Sequence, residues 1–261
     1  MDFIDIATRD GVAVLTLNAP ATRNALSGPE HYAAVEAACA RVGADREIRA
    51  VILTGAGSAF CAGGNVKNMW QRICAPGAVA ADERYRYKEG IHRIVQALYG
   101  LEVPTIAAIN GPAIGAGLDL ACMCDIRLAS DRARFAESFV KLGIIPGDGG
   151  AWLLQRIVGP SRAAEMIFTG DTIDPTQALA CGLVSQVLPA DGLMEAAWDL
   201  ARRIAANPPH ALRMAKRLLR ESQHARLESI LEMSAAFQAL AHFTPDHHEL
   251  VQRAATRSTA T

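Results

Sequence analysis

The sequence predicts an α/β protein, with a sheet core over residues 1–188 and a helical region over residues 189–261. Three observations predict it. Short apolar runs rich in branched residues alternate with helical periodicities over the first part of the chain. After Pro189 every periodic stretch is helical. The chain has 261 residues and is 51% hydrophobic, long enough to bury a large core in one domain with an appendage.

Taken in order, Phe3–Ala7 and Val12–Leu17 flank Asp10-Gly11, a hairpin signal. A polar loop from Ala21 to Ser27 leads to a helix beginning near Pro29, with Tyr32, Val35, Cys39 and Val42 at helical spacing. Ala50–Thr54 is a third strand, followed by the small-residue loop Gly55–Lys67. Ala75-Pro76-Gly77 and the dense charge of Asp82–Glu89 make residues 70–90 a mobile, solvated segment that leads into a helix through Ile91 and Leu98. Thr105–Ile109 is a buried strand, and a helix starts near Leu118. Asp125–Ala129 and Arg134–Ala136 are further strands. Gly143–Gly150 is a third glycine-rich loop, with a helix from Ala151. Ser161 caps a helix to Phe168, and Asp174-Pro175 caps one ending at Cys181-Gly182. Val184–Leu188 is a short strand. Helices over Leu193–Ala206, Ala211–Gln223 and Arg226–His242 follow, and Thr244-Pro245 opens the last.

A formal net charge of −1 gives no electrostatic case for nucleic acid. No apolar run approaches the roughly 18 residues of a membrane span. The acidic start Met1-Asp2-Phe3-Ile4-Asp5 lacks the basic region of a signal peptide. Cys39, Cys61, Cys74, Cys122, Cys124 and Cys181 match no zinc spacing and read as reduced thiols of a cytoplasmic protein. His247-His248 are adjacent and do not share a helix face, so they read as surface residues and no metal is expected.

The chemistry gathers on Asn110–Ala121. A strand, the turn Gly115-Ala116-Gly117 and a helix aim free N–H groups at one point, with the positive end of the helix dipole behind them. Such a turn holds a phosphate or an oxyanion, or else serves packing alone. The dinucleotide fingerprint is incomplete, because Leu120 stands where its third glycine belongs, and no P-loop is present.

Three glycine-rich loops after strands narrow the choice. Ala59-Phe60-Cys61-Ala62-Gly63-Gly64-Asn65-Val66-Lys67 resembles the first signature of the crotonase (enoyl-CoA hydratase/isomerase) superfamily. Asn110–Ala121 with Cys124-Asp125-Ile126-Arg127 resembles the second, and Leu142–Gly150 with Arg156–Gly159 the third. Arg23-Asn24-Ala25-Leu26 is similar to the family's loop after the N-terminal hairpin. The resemblance implies a spiral of ββα units with a C-terminal trimerisation region, assembled as a trimer or a dimer of trimers. It implies an acyl-CoA thioester substrate, CoA being part of that substrate and no separate cofactor. The backbone N–H groups of Ala62 and Ala116 would form the oxyanion hole. Arg23, Cys61, Ala62, Gly64, Asn65 and Val66 would lie near the nucleotide of CoA. Losing one oxyanion donor typically costs about 3–4 kcal/mol.

A hydratase of this family uses two glutamates around one water. Asp119 stands at the first position, where the helix dipole favours its ionised form, either as a base or as a carboxylate that only caps or charges the first turn. Phe139 stands at the second. Glu137, two residues earlier on what reads as a strand, and Asp148, in the third loop, are candidates to replace the missing acid, with Glu137 ranked first. Trp70, Ile73, Phe139 and Trp152 are candidates for an acyl pocket or for core packing. The leading expectation is hydration of a 2-enoyl-CoA. The alternatives are Δ3,Δ2-enoyl-CoA isomerisation, another thioester reaction on this fold, or an acyl-CoA-binding protein without turnover.

Overall fold

The computed structural model describes residues 3–258. Strands β1 (Ile4–Arg9) and β2 (Val12–Leu17) form an antiparallel hairpin. Its turn places Asp10 and Gly11 at φ 52° and 73°, the left-handed pair that matches strand twist. Helix α1 (Pro29–Ala44) returns the chain to β3 (Ala50–Gly55), which lies parallel to β2. After α2 (Val66–Ile73), α3 (Ala80–Glu89) and α4 (Ile91–Tyr99), strand β4 (Thr105–Ile109) extends the sheet. Short β5 (Ala113–Ile114) and α5 (Ala116–Met123) precede β6 (Ile126–Ser130) and short β7 (Phe135–Ala136). Helices α6 (Gly150–Val158), α7 (Pro160–Thr169) and α8 (Pro175–Ala180) lead to β8 (Gln186–Leu188). The six-stranded order is β1-β2-β3-β4-β6-β8, parallel from β2 onward.

A second, narrower layer crosses it. β5 pairs with β7, and single bridges join Leu26 to Gly64, Cys61 to Ala113 and Phe135 to Ile173. Each turn of the chain therefore leaves a long strand in one layer and a short segment in the other. Every residue of β3 is buried, Val51 and Leu53 in the core between the layers and Ala50 and Ile52 on the opposite face. Helix α9 (Leu193–Ala205) covers that opposite face with Leu193, Ala197, Ala201 and Ala205, one side chain per helical turn.

Helices α10 (Pro209–Glu221), α11 (Leu227–His242) and α12 (Pro245–Ser258) complete the chain. The buried residues of α10 are cations. Arg213 donates to the Asp45 and Ile48 carbonyls, and Lys216 donates to the Val103 carbonyl at 2.8 Å. Lys216 and Arg220 also clasp Asp125 at 2.7 and 2.6 Å, which holds its carboxyl below the usual range despite burial. No residue of α11 is buried. Among the described residues no helix is long and apolar enough to cross a membrane.

Three local expectations are corrected. Residues 70–90 are solvated as expected, with no buried residue before Gly90, but they are largely helical: the end of α2 and all of α3, parted by a turn at Ala75-Pro76-Gly77. Asn65 caps α2 by accepting the Asn68 N–H at 3.1 Å. The dense charge of α3 complements its dipole, with Asp82 and Glu83 in the first turn and Arg86 and Lys88 in the last. Ser161 does not cap α7, since Gly159 takes the cap position and Pro160 the first turn. Glu137 and Phe139 do not alternate on a strand, because β7 ends at Ala136 and a 3-10 turn runs over Ser138–Leu142.

Candidate active site

The site is built where the two layers meet. Asn110 follows β4 and locks the loop beside it: Oδ1 accepts the Gly55 N–H at 3.1 Å, and Nδ2 donates to the Gly57 carbonyl at 3.0 Å. The chain then passes β5 and turns at Gly115, whose φ of 51° and ψ of −119° suit a residue without Cβ. Gly117 lies so close to the first loop that a Cβ there would stand 2.8 Å from the Cys61 carbonyl carbon. The first and second glycine-rich loops are thus in backbone contact.

The N–H groups of Gly64 and Ala116 donate to no acceptor within the described residues. Both residues line a cavity of about 850 Å³. Ala62 is displaced from its expected role, because its N–H donates to the Arg23 carbonyl at 2.9 Å and is consumed by the fold. The Arg23 carbonyl is presented by a left-handed Arg23-Asn24 pair, with φ 54° and 57°. The Asn24 amide holds that pair in place, bonding the Ala56, Ala59 and Phe60 carbonyls and the Ala19 N–H.

Of the three nominated carboxylates, only Asp148 lines the cavity. Burial pushes its carboxyl up to about 6, and His92 nearby opposes the shift. His92 is held by a 2.9 Å contact between Nε2 and the Gly147 carbonyl. Asp119 and Glu137 are instead sealed behind the cavity wall, 0% and 1% exposed. A Cβ on Gly150 would overlap Asp119 Oδ1 and stand 2.9 Å from Glu137 Oε1, so both carboxyls press on the same Cα. None of their four oxygens accepts a well-formed hydrogen bond from another group. Asp119 is raised well above the ordinary range by burial first and by Glu137 second, and the Gly150 N–H opposes this only in part. Burial likewise raises Glu137. Burial and the neighbouring Glu137 thus oppose the helix dipole expected to keep Asp119 ionised. The ranking of Glu137 above Asp148 fails on access.

The other candidates scatter. Gly64 and Asn65 line the cavity, and Val66 opens α2 at the surface. Cys61 is fully buried, and burial pushes its thiol up to about 12, so its side chain does not reach a ligand. Phe139 is buried with its ring 3.4 Å from where a Cβ on Gly115 would lie, backing the turn. Trp70 and Ile73 point away from the cavity, where Met69 of the same helix lines it. Trp152 packs edge-on against Tyr99, with Arg156 over its ring.

Sequence reasoning missed Tyr32 and Tyr87. Both line the cavity, and both phenols are raised by burial and by the charge of Asp148, so they stay protonated donors at neutral pH. Tyr32 was visible only as a core position of α1, and Tyr87 lay within the charged stretch.

The comparisons agree with this architecture. The enoyl-CoA hydratase/isomerase family model matches residues 7–254. The chain is 36% identical over 252 residues to the 2,3-dehydroadipyl-CoA hydratase of Escherichia coli K12, covering 95% of this chain and 94% of that protein. It is 34% identical over 249 residues to the 1,2-epoxyphenylacetyl-CoA isomerase of the same strain, covering 95% and 94%. The crystal structure of an enoyl-CoA hydratase from Bacillus anthracis superposes with a TM-score of 0.90 at 32% identity, covering 98% of this chain and 96% of that one. The paired sheet layers, the backbone-to-backbone glycine loops and this likeness over nearly the whole length place the chain in the enoyl-CoA hydratase/isomerase (crotonase) family of CoA-thioester enzymes.

Proposed function

We propose that the protein isomerises a 3-enoyl-CoA to the conjugated 2-enoyl-CoA, with Asp148 as its only acid–base group. One observation carries this reading: Asp148 is the single carboxyl of the three that meets the cavity shared by the free N–H groups of Gly64 and Ala116. Ionised Asp148 takes a proton from C2 of the thioester. The electron pair moves into a dienolate whose charge rests on the thioester oxygen. The two N–H groups, one at the start of α5, stabilise that oxygen. The same carboxylic acid returns the proton to C4, so the reaction closes with one group and no water. A carboxyl titrating near 6 is largely ionised at neutral pH yet basic enough to take a carbon-bound proton.

Hydration of a 2-enoyl-CoA is the second reading, favoured by the hydratase relative at 36% identity. It needs a second proton-transfer group, and Phe139 withholds the usual one. We further propose that residues 1–188 bind the thioester and that residues 189–261 assemble the chain as a trimer or a dimer of trimers. Leu227, Leu231 and Leu240 of α11, all exposed in the single chain, support that assembly.

The test offers the protein 3-hexenoyl-CoA and crotonyl-CoA separately and follows the conjugated enoyl-thioester absorbance. Gain with the first and little loss with the second, both absent in Asp148→Asn, is the expected result. Rapid loss with crotonyl-CoA and no gain with 3-hexenoyl-CoA would establish hydration instead.

A further inference from the structure

We propose that Asp119 and Glu137 form a carboxylic acid–carboxylate pair that holds one proton between them and positions the Asp148 loop, and that neither acts as the base. The inference rests on Asp148 being the group that meets substrate. Its warrant is geometric. Both carboxyls press on the Cα of Gly150, the first residue of α6. Both are sealed from the cavity, and apart from the Gly150 N–H beside Asp119 no other group satisfies their oxygens. Two ionised carboxylates cannot share such a space, and two neutral ones would leave the α6 N-terminus without a countercharge. One proton between them gives each oxygen pair a partner and leaves one negative charge at that N-terminus. Gly149 enters α6 at φ 97°, and Asp148 is the residue before it, so seating α6 sets where the Asp148 carboxyl stands.

The charged and titratable groups around the pair come from several elements. Asp148 faces it from the loop before α6. Cys122 lies on α5 and feels both carboxyls, along with Arg127 of β6. Asp148 in turn faces His92 of α4, Tyr32 of α1 and Tyr87 of α3.

Asp119→Asn and Glu137→Gln each replace the proton-sharing contact by an amide–carboxylate contact with the same single charge. Both are expected to keep turnover within about fivefold of wild type, whereas Asp148→Asn loses on the order of 10²–10⁴-fold. The double variant Asp119→Asn with Glu137→Gln removes the charge but keeps a hydrogen bond. It is expected to move the acidic limb of kcat/KM to lower pH, which a packing role alone leaves in place. Infrared difference spectra read the pair without turnover. At about pH 8, where Asp148 is ionised, wild type is expected to show a protonated-carboxyl stretch that either single substitution removes. An Asp119→Asn protein that folds cooperatively but loses as much activity as Asp148→Asn overturns the proposal and makes Asp119 the base. So does a wild-type spectrum without that stretch. If no enoyl-CoA is turned over by any form, the isomerase reading fails while the infrared result still decides the pair.

Discussion

Replacing Asp148 by Asn is expected to cut turnover by about 10²–10⁴-fold and to make the protein more stable. The stabilisation follows from the environment of the carboxyl. Asp148 is 6% exposed, and its carboxyl titrates near 6 instead of at the ordinary 3.8. Between those two values the folded state holds a proton that the unfolded chain releases, so stability falls as pH rises through that window. At about 1.4 kcal/mol per pH unit, the ionised carboxylate costs the fold about 3 kcal/mol above pH 7. An amide of the same shape carries no charge to desolvate. Urea unfolding at about pH 7.5 is therefore expected to show a gain of about 1–3 kcal/mol, the lower part of the range covering the burial of the amide itself. At about pH 3.5, where Asp148 is protonated in the folded state and mostly so in the unfolded chain, the gain is expected to shrink to a few tenths of a kcal/mol. A gain of equal size at both pH values, or a loss at neutral pH, would refute the assignment of Asp148 as a buried base held ionised against its surroundings. The same titration predicts wild-type kcat/KM rising with pH through about 6.

Ala116→Pro removes one of the proposed oxyanion donors at a helix position that tolerates proline, and kcat is expected to fall by about 10²–10³-fold with thioester binding retained. Competition binding with a saturated acyl-CoA separates the two effects. Gly117→Ala places a Cβ 2.8 and 2.9 Å from the Cys61 carbonyl carbon and Cβ. Ordinary contact needs about 3.5–4 Å, so the two donor loops must part by about 1 Å, which is expected to cost on the order of 10²-fold in kcat. Phe139→Glu puts a carboxylate beside the Gly115 turn. Hydration of crotonyl-CoA is expected to rise while stability drops by about 3–5 kcal/mol, read from absorbance decay and urea unfolding of one preparation.

Much of this was legible in residue order, and what escaped had physical reasons. β3 and β4 announce themselves because parallel strands buried on both faces are continuous apolar runs. Asp174 caps α8 with Gln177 in a reciprocal pair, as Asp-Pro foretells. The N–H groups proposed as oxyanion donors were half legible. Ala116 follows from its place at the start of α5, but the choice of Gly64 over Ala62 depends on the Arg23 carbonyl, far away in the chain. Periodicity cannot report which N–H a distant loop has consumed. Asp119 misled through scale, since a helix terminus contributes less than full burial beside a second carboxyl removes. Glu137 reached Asp119 by a route that strand alternation does not describe, through the turn that follows β7. The charge of α3 signalled a solvated helix as well as it signalled a loop, and only packing distinguishes the two.

The outer wall of the cavity has an evolutionary consequence. No residue of α2 or α3 is fully buried, Tyr87 alone packing against the core from its edge, and the two helices are joined by Arg72 and Glu83, 3.2 Å apart. Such exposed pairs stabilise by about 1 kcal/mol or less. Side chains of these helices that face the cavity can therefore be exchanged with little penalty to folding, while the loops carrying Gly64 and Ala116 lie backbone against backbone and admit almost no change. A scaffold divided in this way can acquire new acyl preferences by drift along its rim without passing through unfolded ancestors. Relatives of near-equal identity named for a dehydroadipyl and an epoxyphenylacetyl thioester are what such latitude would produce.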